Sequence, residues 1–173
     1  MRSRIFIVTG EGKGKTTSAF GMALRSLGHG RRAAVIQFVK RESGGEAEAL
    51  RRIPGAEVLC CGLGFLPRRE DAVRREAHLK AAHDGWRLAQ ERLTDPAVGT
   101  VVLDEIFHIM RFGALDEASV GAALRALPEG KIVVLTGRCA PESLIALADT
   151  VSRIECVKHA FRQGIRAQEC AEF

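Results

Sequence analysis

The sequence predicts an α/β fold: a three-layer structure with a mostly parallel sheet of about six strands and helices on both faces. Three observations predict it. Short runs rich in Val, Ile and Leu alternate with longer stretches of helical periodicity. Those runs are apolar throughout instead of alternating apolar with polar. That pattern marks strands buried on both faces, and helical crossovers between them make the sheet parallel. A glycine-rich turn, Gly10–Thr17, joins the first apolar run to the first helical stretch. In such sheets, sites form at the C-terminal ends of the strands.

Each element has a local reason. Ile5–Thr9 is the first strand, and Gly14 to about Leu27 is a helix stopped by Gly28-His29-Gly30. Ala33–Val39 is the second strand. Gly44-Gly45 then leads into a short helix that ends before Pro54, and Glu57–Cys61 is the third strand. The longest helix is expected from Arg69 to about Leu93. Ala82, Trp86, Ala89 and Leu93 recur on its core face, and Asp95-Pro96 ends it. Thr100–Leu103, Lys131–Thr136 and Val151–Cys156 are the fourth, fifth and sixth strands, with helices around Asp116–Ala126 and Pro141–Ala148 between them. There is no internal repeat and no linker rich in Pro, Gly or Ser. The 173 residues therefore read as one domain, long enough to bury roughly 70% of its unfolded surface.

Composition excludes several classes. No apolar run approaches the roughly 18–20 residues that span a membrane, and Ile5–Val8 is too short for a signal-peptide core. The reading is cytoplasmic, with no membrane partner. Five cysteines without a Cys-x-x-Cys pair argue against a zinc ribbon or a disulfide framework. Cys60 and Cys156 read as small core hydrophobes. The net charge is +5, yet Arg68, Arg69, Arg74 and Arg75 interleave with Glu70, Asp71 and Glu76. Such mixing marks a solvated helix face. With no Tyr and one Trp for stacking, the chain does not read as a nucleic-acid binder. His78 and His83 are five apart on a helix, so they do not form an i, i+4 metal pair.

The strongest motif is Gly10-Glu11-Gly12-Lys13-Gly14-Lys15-Thr16-Thr17. It lies between a strand and a helix, the context of a phosphate-binding loop. Its glycines let backbone N–H groups approach phosphate oxygens, and the helix N-terminus adds about half a positive charge. Lys13 and Lys15 supply cations, and the Thr16 hydroxyl suits Mg²⁺. The loop is one residue shorter than the usual spacing, because the first glycine falls at Gly10 and Thr9 stands where it is expected. Glu11 is unusual in placing a carboxylate beside phosphates. The second half of such a site is Val101-Val102-Leu103-Asp104-Glu105, a strand ending in two acids. Successive strand residues point to opposite faces, so one acid should face the metal and the other the protein. Thr136-Gly137-Arg138 ends the next strand on the same rim, where Arg138 can reach phosphate. Phe65, read alone, is a core or loop anchor.

These stretches together resemble the ATP:corrinoid (cob(I)alamin) adenosyltransferases of bacterial cobalamin synthesis and salvage. The resemblance is carried by residues 9–17, Ala19-Phe20-Gly21, Ala23-Leu24-Arg25, Gln37-Phe38-Val39-Lys40, Gly64-Phe65, Val101–Glu105 and Thr136-Gly137-Arg138. It continues through Leu147-Ala148-Asp149-Thr150-Val151-Ser152, Val157-Lys158-His159-Ala160-Phe161 and the residues from Gly164 to Gln168. The shortened loop is itself a mark of that family.

The resemblance implies a RecA-like phosphate-loop fold and a homodimer. It implies that Co(I) of a corrinoid attacks C5′ of ATP, with triphosphate leaving. Lys15 and Thr16 match phosphate and metal contacts, and Thr17 and Arg25 match further nucleotide contacts. Glu105 matches the acid at the metal, Mg²⁺ or Mn²⁺. Phe65, with Leu66 beside it, matches the side chain that pushes the lower axial ligand off cobalt. An electron donor such as a reduced flavoprotein is implied as a partner. Three features depart from the pattern. Leu66-Pro67 stands where many members have Thr-Trp, Glu11 stands where Asn is common, and the chain opens at the strand where longer members carry a helical extension. The alternatives are a phosphate-loop kinase or ATPase with another acceptor, and a non-catalytic corrinoid- or nucleotide-binding protein.

Overall fold

The computed structural model describes residues 2–41, 44–67, 71–168 and 170–171. Its strands are β1 (Arg4–Thr9), β2 (Arg32–Gln37), β3 (Ala56–Cys60), β4 (Val98–Asp104), β5 (Ile132–Thr136) and β6 (Thr150–Arg153). Its helices are α1 (Lys15–Gly28), α2 (Gly45–Arg51), α3 (Ala72–Thr94), α4 (Ile106–Arg111), α5 (Glu117–Arg125) and α6 (Glu142–Ile145). All six strands pair in parallel, in the order β3-β2-β4-β5-β1-β6. One strand, β5, separates the loop-bearing β1 from the acid-bearing β4, as in RecA-like folds.

The expected layers follow from side-chain alternation along the strands. On one face α1 and α2 bury Ala19, Phe20, Ala23, Ala47 and Leu50 against Val8, Val35, Val102 and Val134. On the other, Ala82, Trp86, Ala89 and Leu93 of α3 join α4, α5 and α6 on Ile7, Ile36, Val101, Leu103 and Leu135. Strand β4 is therefore buried at every residue. Helix α1 stops as its Gly-His-Gly ending predicts: the His29 N–H bonds back to Arg25 and Ser26, and Gly30 takes φ 73°.

The structure departs from the sequence reading at several points, and one expected boundary falls outside the described residues. Helix α4 was not anticipated. Its run Ile106-Phe107-His108-Ile109-Met110 is short and apolar, and periodicity alone cannot distinguish that from more strand. The sixth strand ends at Arg153, not Cys156, and all four of its residues are exposed, because it lies at the sheet edge with β1 as its only neighbour. Cys60 and Cys156 are half-buried rather than core: one ends the opposite edge strand, and the other lies beyond β6. Finally, the expected helix start at Arg69 lies outside the described residues. The described helix begins after Asp71, whose carboxylate accepts the Arg74 N–H at 3.0 Å.

Two charged side chains pin the bottom of the sheet. Asp149 accepts the Ile5 N–H at 2.9 Å and pairs with Arg2 and Arg4, docking β6 onto β1. That hydrogen bond leads the causes that hold its carboxyl below the usual range. Lys131, only 2% exposed, donates to the carbonyls of Arg92, Asp95 (2.6 Å) and Val98. It thereby satisfies the C-terminal end of α3 and the entry to β4, where carbonyls lack helical partners. Burial lowers its pKa.

Lys131→Met keeps the aliphatic stem but strands those carbonyls. Urea unfolding should show a loss of about 2–3 kcal/mol. A loss below about 0.5 kcal/mol, the scale of an ordinary surface substitution, would show that Lys131 is not a structural fastener.

Candidate functional site

Residues 10–14 connect β1 to α1 and are pressed against the chain that leaves β6. A Cβ at Gly10 would sit 2.3 Å from the Ile154 carbonyl oxygen, and one at Gly12 would sit 2.6 Å from that of Glu155. No side chain fits either place. The Gly12 N–H donates to Ile154 and the Ile154 N–H to Thr9, both at 2.8 Å. Gly10 and Gly12 thus make room for neighbouring backbone, a requirement that the phosphate-cradle argument did not contain. Lys15 is 7% exposed and folds back so that Nζ donates to the Gly12 carbonyl at 2.8 Å.

The two strand-end acids take different positions. Asp104 is fully buried. Its Oδ1 accepts the hydroxyls of Thr16 (2.9 Å) and Thr136 (2.8 Å), and its Oδ2 accepts the Gln37 amide (2.9 Å). The Thr136 hydroxyl also accepts the Glu105 N–H at 2.9 Å. Glu105 stands in the left-handed region, φ 60°, where the chain turns from β4 into α4. Burial, then the adjacent Asp104, raises its pKa against the opposing pull of His108, Lys15 and Arg138. A carboxyl held in this way gains from a cation beside it.

Lys13, Lys15, Thr16, Thr17 and Glu105 line one cavity of about 640 Å³. Two further residues there, Lys40 and Glu46, had no assigned function in the sequence reading. The Thr17 hydroxyl donates to Glu46 at 2.9 Å. Burial works to raise the Glu46 pKa, but the Thr17 bond and the charges of Lys40 and Lys13 outweigh it and leave the carboxyl below its usual range. A single Glu after a Gly-Gly turn carries no spacing signal, whereas Lys40 lies in a stretch already quoted for the resemblance. Lys13 donates to the Ala171 carbonyl, so the C-terminal segment borders the same cavity.

Other expected residues lie elsewhere. Arg25 is exposed in the last turn of α1. At 1.5 Å per residue it is about 15 Å from Lys15 along the helix, and it does not line the cavity. Arg138 pairs with Glu11 at 2.9 Å. That pair accounts for Glu11: its carboxylate is neutralised by Arg138 beside the loop. Phe65, read from sequence alone as a core or loop anchor, is 93% exposed and therefore not in the core. With Leu66, Pro67 and, from the start of α3, Asp71, Ala72, Val73 and Arg74, it lines a hollow of about 960 Å³. His78 packs against Phe112, and His83 meets the Ala114 carbonyl.

A strand-loop-helix turn with buried Lys15, joined through Thr16 to a strand-end acid one strand away, defines a phosphate-loop nucleotide-binding protein. The comparisons narrow that class. The whole chain, residues 1–173, matches the family described as ATP:corrinoid adenosyltransferase BtuR/CobO/CobP. A corrinoid adenosyltransferase of Pseudomonas aeruginosa is 42% identical over 99% of this chain and 84% of its own length. Those of Sinorhizobium sp (40%; 98% and 79%) and Escherichia coli K12 (37%; 96% and 84%) are similar over comparable spans. The chain belongs to the ATP:corrinoid adenosyltransferase family.

Asp104→Asn puts an amide among donors. We expect a loss of about 1–3 kcal/mol in denaturant unfolding, the cost of unmatched buried polar groups. Wild-type stability would remove Asp104 as the organiser of the site.

Proposed function

We propose that the protein transfers the 5′-deoxyadenosyl group of ATP to the Co(I) centre of a corrinoid, releasing inorganic triphosphate, and that the chain acts as one catalytic domain. Membership of the adenosyltransferase family carries the reading. The geometry supports it: a polar, cationic cavity after β1 and an apolar hollow after β3 occupy the same rim of the sheet. The first suits a triphosphate. The second suits the flat face of a macrocycle.

The chemistry assigns each residue a task. Lys13 and Lys15, with the loop N–H groups and the start of α1, hold the triphosphate and offset the charge it gains on leaving. Arg138, paired with Glu11, sits at the edge of that field. Thr16 and Glu105 line the cavity with hard oxygen donors, the kind that suits Mg²⁺ or Mn²⁺, and Asp104 orients the Thr16 hydroxyl from behind. Such an ion, when bound, adds charge neutralisation on the leaving triphosphate. No protein nucleophile is required, because the substrate's cobalt attacks C5′, and the protein contributes positioning. Phe65 and Leu66 press on the corrinoid face and favour the form that has lost its lower axial ligand, which is the form more easily reduced from Co(II).

Further partners follow from the same reading. The reaction needs an electron donor such as a reduced flavoprotein. A homodimer is supported by exposed Val151, Val157, Phe161 and Ile165, on and beyond the edge strand β6. No helix among the described residues is long and apolar enough to cross a membrane, and we place the protein in the cytoplasm.

Incubation with ATP, Mg²⁺ and chemically reduced cobalamin should yield triphosphate and a light-sensitive corrinoid. Phosphate release without corrinoid would instead indicate a kinase or ATP hydrolase. Lys15→Ala should lower ATP affinity by at least about 100-fold, since it removes a buried cation from a polyanion site; unchanged affinity would refute the assignment.

Phe65→Ala should slow the reaction started from Co(II) corrinoid by about 10-fold or more, while the reaction started from Co(I) changes about twofold at most. Equal losses would mean that Phe65 has no part in ligand displacement.

A further inference from the structure

Helix α3 grips the turn that follows α4. Arg75 lays its guanidinium over the Phe112 ring, 4.3 Å from the centroid, and donates to the Phe112 carbonyl at 2.9 Å. His78, 6% exposed, meets the same ring edge-on with centroids 6.3 Å apart. Three residues apart, these two side chains share one face of α3. Farther along, His83 Nε2 is 2.8 Å from the Ala114 carbonyl. None of Arg75, His78 and Phe112 lines the nucleotide cavity or the apolar hollow.

The grip joins two ends that matter. Residues 72–74, immediately before Arg75, line the same hollow as Phe65. Helix α4 runs from Ile106, directly after Glu105, to Arg111, directly before Phe112. Among the described residues a short route from the first turn of α3 to the acid-bearing turn runs through Arg75, Phe112 and one six-residue helix, beside the packing of the rest of α3 on β4. Group transfer requires reacting atoms roughly 3–3.5 Å apart and aligned. Two substrates seated on separate loops need a rigid strut between those loops. A cation held over a ring and bonded to the adjacent carbonyl fixes both distance and orientation.

We propose that Arg75 is a positioning residue: through Phe112 it sets the Ala72–Arg74 wall of the corrinoid hollow relative to the Glu105 turn. This rests on reading the hollow as the corrinoid face. The test measures KM for corrinoid and KM for ATP in the reaction started from Co(II) corrinoid. It also measures the absorbance of Co(II) corrinoid that has lost its lower ligand. Arg75→Ala should raise the corrinoid KM about tenfold and reduce the four-coordinate signal, with the ATP KM changed less than about twofold. Phe112→Leu should do the same, and it carries the test should Arg75→Ala fail to fold. Parallel changes in both KM values, or no change in either, would overturn the proposal. Phe65→Ala separates the two ideas. If it too leaves the corrinoid KM and the four-coordinate signal untouched, the reading of the hollow fails. If it alters them while Arg75→Ala does not, only the role of Arg75 fails.

Discussion

The site depends on one buried carboxylate. Asp104 has no exposed surface, and a bare charge there would cost several kcal/mol. It is tolerated because Thr16, Thr136 and Gln37 all donate to it. Those donors come from α1, β5 and β2, so one side chain holds three neighbouring elements at their functional ends. The network sets the phase of α1 relative to the sheet, and with it the direction of the loop N–H groups. It also occupies the Thr136 hydroxyl, whose remaining capacity accepts the Glu105 N–H and fixes the left-handed turn into α4.

The shortened loop is intelligible within that frame. A loop with one residue fewer has less slack to wrap a phosphate, and here it is further constrained from outside. Ile154 and Glu155 press their backbone into Gly10 and Gly12, and the Gly12 N–H is already donated to Ile154. The N–H groups left for an anion are those nearer Lys15 and α1. The stretch after β6 therefore does more than close the sheet edge: it determines which part of the loop can act.

Much of this was legible in the sequence, and the remainder was hidden for physical reasons. The interior strands announced themselves because they are buried on both faces and so are apolar through their middles, with polar residues mainly toward the ends. Lys15, Thr16 and Asp104-Glu105 were readable because short-range spacing and strand ends place them. Helix α4 was not, because four apolar residues around His108 suit a strand as well as a short helix. Arg25 was carried over by resemblance, yet the helix rise sets it far from Lys15. Glu46 and the Glu11–Arg138 pair depend on contacts between distant segments, which no local pattern encodes. Lys131 was taken for the first residue of a strand; its carbonyl partners lie 33 to 39 positions away in the chain.

The two cavities differ in how they are held, and the difference bears on function. The cavity proposed for the nucleotide is hydrogen-bonded and anchored on interior strands, an arrangement that would let triphosphate charge meet preorganised dipoles. The hollow proposed for the corrinoid is built from the loop after an edge strand and the first turn of α3, with Phe65 almost wholly exposed. A large flat substrate needs an open approach, so this wall cannot be buried in the core. Its precision must come from outside the wall, and the described contacts that can provide it run along α3. The absent tryptophan is consistent with this arrangement. Pro67 cannot stack, but Val73 in the first turn of α3 is 82% exposed and adds apolar surface to the same hollow. Contact with the macrocycle would then be shared between two elements, and the spacing between those elements, rather than any one aromatic ring, would determine how firmly cobalt is stripped of its ligand.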